Sequence, residues 1–501
     1  MIIKENMPWP PTSLLEYKMR EHSAWYSGSS ELLANFYTEY VTQNYMQLPY
    51  TMTNNEMFWS RQIKNKGEIF VHVPVAGDIA ETSANFLFSE APLIKITEAN
   101  TLNGGSSYKK AQEELDTLLV ETGFHRKLLE GAESASAICG VYLKIAWDEE
   151  LSEYPIPVVV QADKAIPEFV FGILTAVTFW KVVDIDETGN KVLRLLERYE
   201  RGYIRYSLWL GTGDKLGSEI DLNSHPETAD LEQVVETGID DILAVYVPNM
   251  LPNRLDRNSY LGRSDYLGIE GLMDSLDETF TNWMREIVLA QPKIMIPESF
   301  LTNEDGKQRY NIDQMLYVKL DMDPTIEGQK ITTAQFEIRA DQFEKTVLNL
   351  LERIVTSAGY SPQSFGLNIQ GRAESGTALS MRERKSFATR NKKQSYWQPA
   401  IKKLVQNMIL VYNIKLGGNI EPNVTINVAF SDGITNDMNE ISSSVKMISD
   451  AIAASTETKV RLLHPDWSEK QIADETTRIK DENGLMAMEN PDSTNPMDNN
   501  I

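Results

Sequence analysis

Cysteine occurs once in 501 residues, at Cys139. A lone thiol can close no internal disulfide and build no thiolate zinc centre, which excludes a stapled secreted scaffold and points to folding in a reducing compartment. Histidine is also sparse. His22, His72, His125, His225 and His464 lie far apart, with no i, i+4 pair to hold a metal, and no metal is expected. Long apolar runs are missing too. The richest, Phe169 to Trp180, is 12 residues, against the ~20 that cross a bilayer. The opening Met1 to Pro11 has no apolar signal core, so neither a membrane nor an export segment is expected. Basic charge is short as well: 48 Lys and Arg against 72 Asp and Glu leave −24. Proteins that grip nucleic acid neutralise phosphates with basic surface, so this chain is expected either to have no dealings with nucleic acid or to lie near it without holding it.

Catalytic signatures are equally scarce. No G-x-x-x-x-G-K-[ST] phosphate loop occurs; the nearest stretch, Gly211 to Gly217, lacks the Lys-Ser/Thr pair, follows the strand-like Tyr203 to Leu210, and reads as a turn. Asp184, Asp186, Thr188 and Gly189 begin like a calcium loop, but Leu195 stands where a bidentate Glu is required. The runs Phe179 to Ile185 and Lys191 to Glu197 around the turn Glu187 to Asn190 read instead as a hairpin. There is no G-x-S-x-G elbow, and Cys139, just before the strand-like Val141 to Trp147, reads as a buried thiol. No cofactor is expected, and the weight moves from catalysis to assembly.

What is present is a globular composition, 42% hydrophobic and 24% charged, in a chain long enough for about three folding units at ~150 residues each. Ser13 and Glu16 form a capping box before a helix that Gly28 closes, and a second helix spans about Glu31 to Gln43. Strand-like text at Phe70 to Val75 and Pro92 to Ile96 flanks a shorter helical piece, and Tyr108 to Glu130 is helical with a break at Gly123. From Ala137 to Val247 the pattern is β: Val141 to Trp147, Ile156 to Gln161, Ala176 to Val183, Val192 to Glu200, Tyr203 to Leu210 and Ile242 to Val247 predict an antiparallel sheet and an α+β first half.

The second half changes character. Ser264 reads as an N-cap, and apolar residues from Ile269 to Val288 repeat at helical spacing until Pro292. Short strand-like pieces follow at Ile294 to Ile296 and Leu316 to Leu320. A second amphipathic helix runs from Arg339 to Ala358 with Gly359 at C′. A long glycine-punctuated loop, Gly359 to Gly376, precedes a third helix from about Thr377 to Trp397, whose first twenty residues carry six basic side chains against one acidic. Helices at Asp437 to Ala453 and Ser468 to Glu482 lead to a polar tail from Glu489, expected to be disordered.

The stretch Val71-His-Val-Pro-Val-Ala-Gly-Asp-Ile-Ala-Glu-Thr-Ser-Ala-Asn-Phe-Leu-Phe-Ser-Glu-Ala-Pro92 resembles a segment of the portal proteins of long-tailed double-stranded DNA bacteriophages. So do Pro8-Trp-Pro-Pro11 and Ala24-Trp-Tyr-Ser-Gly28. Further blocks fall in the family's order: Pro248-Asn249 with Gly262-Arg-Ser-Asp265, Phe336-Glu-Ile-Arg339, Ala358-Gly-Tyr-Ser-Pro362, Ser375-Gly-Thr-Ala378, Phe430-Ser-Asp432 and His464-Pro-Asp-Trp-Ser468. The resemblance implies an α+β portal fold: a wing over 1–263, a stem helix over 264–291, a clip over 292–338 and a second stem helix over 339–358. A tunnel loop over 359–376, the basic helix and the rest of the wing over 377–430, a crown over 431–488 and a disordered tail over 489–501 complete it. It also implies a non-enzymatic, dodecameric ring at one capsid vertex of the virion, assembled in the host cytoplasm. Through that ring DNA is packaged and ejected, with a terminase motor, head-tail adaptor proteins, and major capsid and scaffold proteins as partners. Contact with double-stranded DNA would be transient and non-specific, and no membrane is involved. Another head-tail connector or minor capsid protein is the alternative, and a metal-dependent nuclease a more remote one.

A channel through which DNA slides both ways should not brake it, and acidic walls keep the duplex centred. On the first stem helix Glu270, Asp274, Asp277 and Glu278 form one stripe beside the apolar face. They are expected to line the channel. In the tunnel loop Asn368, Gln370 and Arg372 are expected to touch DNA transiently. Twelve copies would gather roughly 290 negative charges. The basic helix, with Arg382, Arg384, Lys385, Arg390, Lys392 and Lys393, is therefore expected to pair with acidic residues of neighbouring subunits rather than with DNA.

Overall fold

The computed structural model describes residues 3–11, 13–43, 58–61, 70–97, 105–290, 293–297, 317–320, 332–334, 337–367, 381–421, 424–430, 438–451, 453–464 and 469–489. In chain order the elements are α1 (Leu14–Tyr26), α2 (Ser30–Gln43), α3 (Phe58–Arg61), α4 (Val75–Phe88), β1 (Leu93–Thr97), α5 (Gly105–Glu121) and α6 (Phe124–Ile138). Then come β2 (Gly140–Ala146), β3 (Ile156–Gln161), β4 (Ala165–Val170), β5 (Ile173–Ile185), β6 (Val192–Glu200), β7 (Tyr203–Gly211), β8 (Ser218–Ile220), β9 (Val234–Glu236) and β10 (Ala244–Pro248). After these follow α7 (Glu270–Leu289), β11 (Lys293–Pro297), β12 (Tyr317–Leu320), β13 (Thr332–Ala334), α8 (Ala340–Ala358), α9 (Arg384–Lys415), β14 (Thr425–Ala429), α10 (Met438–Asp450), α11 (Thr456–Leu463) and α12 (Glu469–Glu489). The chain is α+β, as expected. It divides into two compact units, Met1–Asn368 with Glu383–Ser431, and Ile369–Arg382 with Asp432–Ile501.

In the larger unit the expected antiparallel strands form, but as two sheets: β10-β2-β3, and β4-β5-β6-β7-β8 with β9 on β7. Two sheets arise because β2 carries apolar side chains on both faces. Val141, Tyr142, Leu143 and Ile145 are all buried; β2 packs on α6, and the Tyr142 ring meets Phe179 of the long sheet at 5.6 Å. The hairpin β5–β6 forms where expected, and its turn is closed by Asp186, which accepts from the Lys191 N–H at 2.8 Å and from the Thr188 hydroxyl at 2.6 Å. The Gly211 to Gly217 stretch is a turn. A Cβ on Gly217, whose φ is +79°, would lie 1.9 Å from the Leu210 carbonyl oxygen, and the buried Arg194 guanidinium donates to the Thr212 and Lys215 carbonyls at 2.7 and 3.2 Å.

Helices α4, α6, α7, α8 and α9 share one core with β2 and β10, centred on Trp25, Phe88, Ile138, Tyr142, Met273, Ile354, Trp397 and Leu404. Helix α6 runs through Gly131 because the Trp397 ring packs there, 3.3 Å from where a Cβ would sit. Five places depart from expectation. Helix α7 begins at Glu270, not Ser264, because Ser264 donates its hydroxyl to the Ala137 carbonyl and accepts the Tyr266 N–H instead of capping a helix. Residues 70–74 make no strand; Val71 and Val73 donate their N–H groups to side chains of α7. Helix α9 continues through Pro399 to Lys415, well past Trp397. In the smaller unit α11 is an additional helix, capped by Ser455, and α12 extends to Glu489.

Candidate functional site

Helix α7 has three faces. Met273, Leu276 and Phe280 enter the core. Beside them Glu270, Asp274, Asp277 and Thr281 stand at i, i+4, i+7 and i+11, so their side chains share one stripe. Each holds a different part of the amino-terminal region. Glu270 Oε1 accepts from Lys18 Nζ at 2.9 Å and pairs with His22 Nε2 at 3.0 Å. Asp274 Oδ2 accepts the Phe58 N–H at 2.9 Å. Asp277 takes His72 Nδ1 at 2.7 Å and the Val73 N–H at 2.8 Å, and Thr281 Oγ1 the Val71 N–H at 2.9 Å. The acids respond differently to enclosure. Burial raises the Glu270 carboxyl, but the His22 bond and the Lys18 charge outweigh it and hold the group down at about 2. Burial pushes Asp274 up to about 6 against the Phe58 N–H, and raises Asp277 against His72.

Three of the four carboxylates expected to line a channel are thus enclosed within the subunit, with Asp277 at 0% exposure. An enclosed carboxylate that already accepts hydrogen bonds from its own chain presents little field to a passing duplex, and only Glu278 is half-exposed. Gly271, Ser275, Asn282 and Arg285, on the same side as Glu278, form instead an exposed polar face of α7, and Met284, Ile287, Val288 and Leu289 are also exposed toward its carboxyl end. Ser275 donates its hydroxyl back to the Gly271 carbonyl.

The basic helix divides in the same way. Lys393 on α9 is 2% exposed. Its ammonium lies 2.5 Å from Asp265 Oδ2, 2.6 Å from the Ser83 hydroxyl and 3.0 Å from the Tyr360 hydroxyl. Burial pushes this lysine below its ordinary range, and Asp265 opposes the shift. Arg390 is also buried. Arg384, Lys385 and Lys392 are exposed; Lys385 donates to the Thr356 carbonyl, and Lys392 to the Leu251 carbonyl at 2.7 Å. Arg382, also exposed, falls in the smaller unit. Asn368, Gln370 and Arg372 lie outside the described residues.

Sequence reasoning missed the group around Asp265. Besides Lys393, its carboxylate accepts from the Ser136 hydroxyl at 2.7 Å, the Tyr360 hydroxyl at 2.9 Å and the Asn249 amide at 2.9 Å. The signal was there: Asn249, Asp265 and Tyr360 all stand in blocks that carry the portal resemblance, but nothing in their spacing says that they meet. The Cys139 thiol is pushed up by burial, and among the described residues no three His, Cys, Asp or Glu side chains converge to hold a metal.

The two long helices are joined at their far ends. Arg339, just before α8, donates to Glu286 of α7 at 2.6 Å, and the rings of Trp283 and Phe343 stack at 5.9 Å and 4°.

Residues 240–484 match a family described as phage portal protein, SPP1 Gp6-like. No curated protein matches the chain. Among solved structures, the chain is similar to one from the virion of a native gene transfer agent (GTA) particle, at 11% identity over 92% of this chain and 96% of that one, with a TM-score of 0.38.

Proposed function

With residues 240–484 belonging to the phage portal protein family, SPP1 Gp6-like, we propose that this chain assembles as a dodecameric ring at one vertex of a capsid. There it serves as the channel for DNA packaging and ejection and as the docking site for the terminase motor and the head-tail adaptors. The family match carries this reading: it runs from just before β10 through both long helices and α9 into α12. In this reading α7 and α8 are the stem, β11 to β13 belong to the clip, α10 to α12 to the crown, and the elements before α7 to the wing. The chain acts as a structural component, and ATP hydrolysis belongs to a separate terminase.

The channel surface we assign to α7 is its exposed polar face, Gly271, Ser275, Glu278, Asn282 and Arg285. One acid and one base among small neutral groups give a wall with little net charge, to which phosphate has little reason to adhere. The exposed Arg384, Lys385 and Lys392 of α9 are assigned to acidic partners on the neighbouring subunit. Negative-stain imaging of the purified protein tests the proposal directly. Axial views are expected to show closed rings with a central hole, and a population of single globules at every concentration would refute it.

A further inference from the structure

Asp265 occupies an unusual place in the chain. It lies five residues before α7, yet it is bound by Tyr360, two residues after α8, and by Lys393, in the third turn of α9. Ser136 near the end of α6 and Asn249 after β10 complete its shell, and Ser83 of α4 holds the other side of the Lys393 ammonium. The links continue outward along both chains: the Thr389 hydroxyl donates to the Gly359 carbonyl at 2.6 Å, and the Ser386 hydroxyl accepts the Ser361 N–H at 2.8 Å. Gly359 itself stands at φ +110°, where a Cβ would come 3.0 Å from the Thr389 hydroxyl oxygen.

We propose that the buried Asp265 carboxylate is a joint that fixes the approach to α7, the exit of α8 and the first turns of α9 as one mechanical unit. Asp265, Tyr360 and Lys393 are its positioning residues. A buried ion pair is weak evidence for stability on its own, because desolvation offsets much of the attraction. What it does supply is specificity of arrangement. Among the described residues Lys393 has no other carboxylate within bonding distance, so withdrawing α9 would leave two uncompensated charges in the core. Displacement of any one of the three segments therefore carries the other two with it. On the portal reading, this ties the first residues of the tunnel loop and the helix that follows it to the helix beside the channel; the joint itself rests only on the contacts within the chain.

Hydrogen exchange on the purified protein tests it, because exchange reports opening segment by segment. In Lys393→Gln, amides of residues 264–270, 359–364 and 386–393 are expected to exchange roughly tenfold faster or more together. Lys392→Gln, the adjacent exposed lysine, should leave all but its own turn unchanged. Acceleration confined to α9, or none, would overturn the joint. Should Lys393→Gln fail to fold, Tyr360→Phe carries the test, since it removes one hydroxyl and leaves the ion pair. It is expected to accelerate exchange at both 264–270 and 359–364, and a change at 359–364 alone, or at neither, would overturn the proposal. Imaging of the wild-type protein judges the ring independently: shared acceleration in a protein that never closes rings would keep the joint and remove the portal reading.

Discussion

At the scale of single residues, the most consequential feature is that α7 uses acids as acceptors for other parts of the chain. Asp277 is wholly enclosed and holds His72 and the Val73 N–H. Asp277→Ala strands both donors, so a loss of about 1–3 kcal/mol is expected. Ser275→Ala on the exposed face should stay within about 0.5 kcal/mol of wild type; urea unfolding midpoints compare the two. The same acids predict the response to pH. Burial lifts Glu16 to about 7 against Arg20, and Asp274 to about 6. Both keep a proton in the fold that the unfolded chain releases, so stability should rise as pH falls from about 7 to about 4. Glu270, held at about 2, acts in the opposite direction: its contribution is complete above its ordinary 4.5 and is lost as pH falls toward 2. Urea midpoints from pH 8 to pH 2 are expected to peak at about pH 4 to 5, with Asp274→Asn flattening the limb on the neutral side. A midpoint that climbs steadily toward pH 8 would contradict this.

At the scale of elements, α9 shows how packing overrides a local signal. Pro399 gives the Ser395 carbonyl no N–H and should break the helix. It does not, because Ala400, Ile401, Leu404, Val405 and Met408 immediately after it are buried in the shared core. Pro399 is itself exposed, so Pro399→Ala should raise stability by about 1–3 kcal/mol, read as a higher Tm; a lower Tm would mean that the ring supports the packing. Elements with a local cause were legible in the sequence. The α1 cap at Ser13, the α8 end at Gly359 and the strands β2, β3, β6 and β7 fall where spacing and turn residues put them. Elements settled by distant partners were not. The Phe70 to Val75 run alternates like a strand but spends its N–H groups on α7, and Ser264 has the chemistry of a cap but faces Ala137. The acidic stripe was correctly placed beside the apolar face. That it is covered by segments more than two hundred residues earlier in sequence could not be read from helical spacing.

At the scale of the whole molecule, the −24 charge sets the problem that any assembly must solve. Copies brought together repel, and the pairing proposed above, of exposed basic side chains on one subunit with acids of the next, is one way to offset it. Screening shortens to ~3 Å at 1 M salt and weakens repulsion and attraction alike; if pairing between subunits governs assembly, the yield of closed rings counted by negative stain is expected to fall between low salt and 1 M, whereas a constant or rising yield would shift the burden to apolar contacts. The pins on α7 have a consequence for how freely the sequence can drift. At positions 58, 71 and 73 the helix holds backbone N–H groups, which every residue except proline possesses. The backbone grips at 58, 71 and 73 therefore tolerate any replacement except proline, while the side chains of Trp59, buried in the core, and His72, bound to Asp277, leave those two positions little room to change.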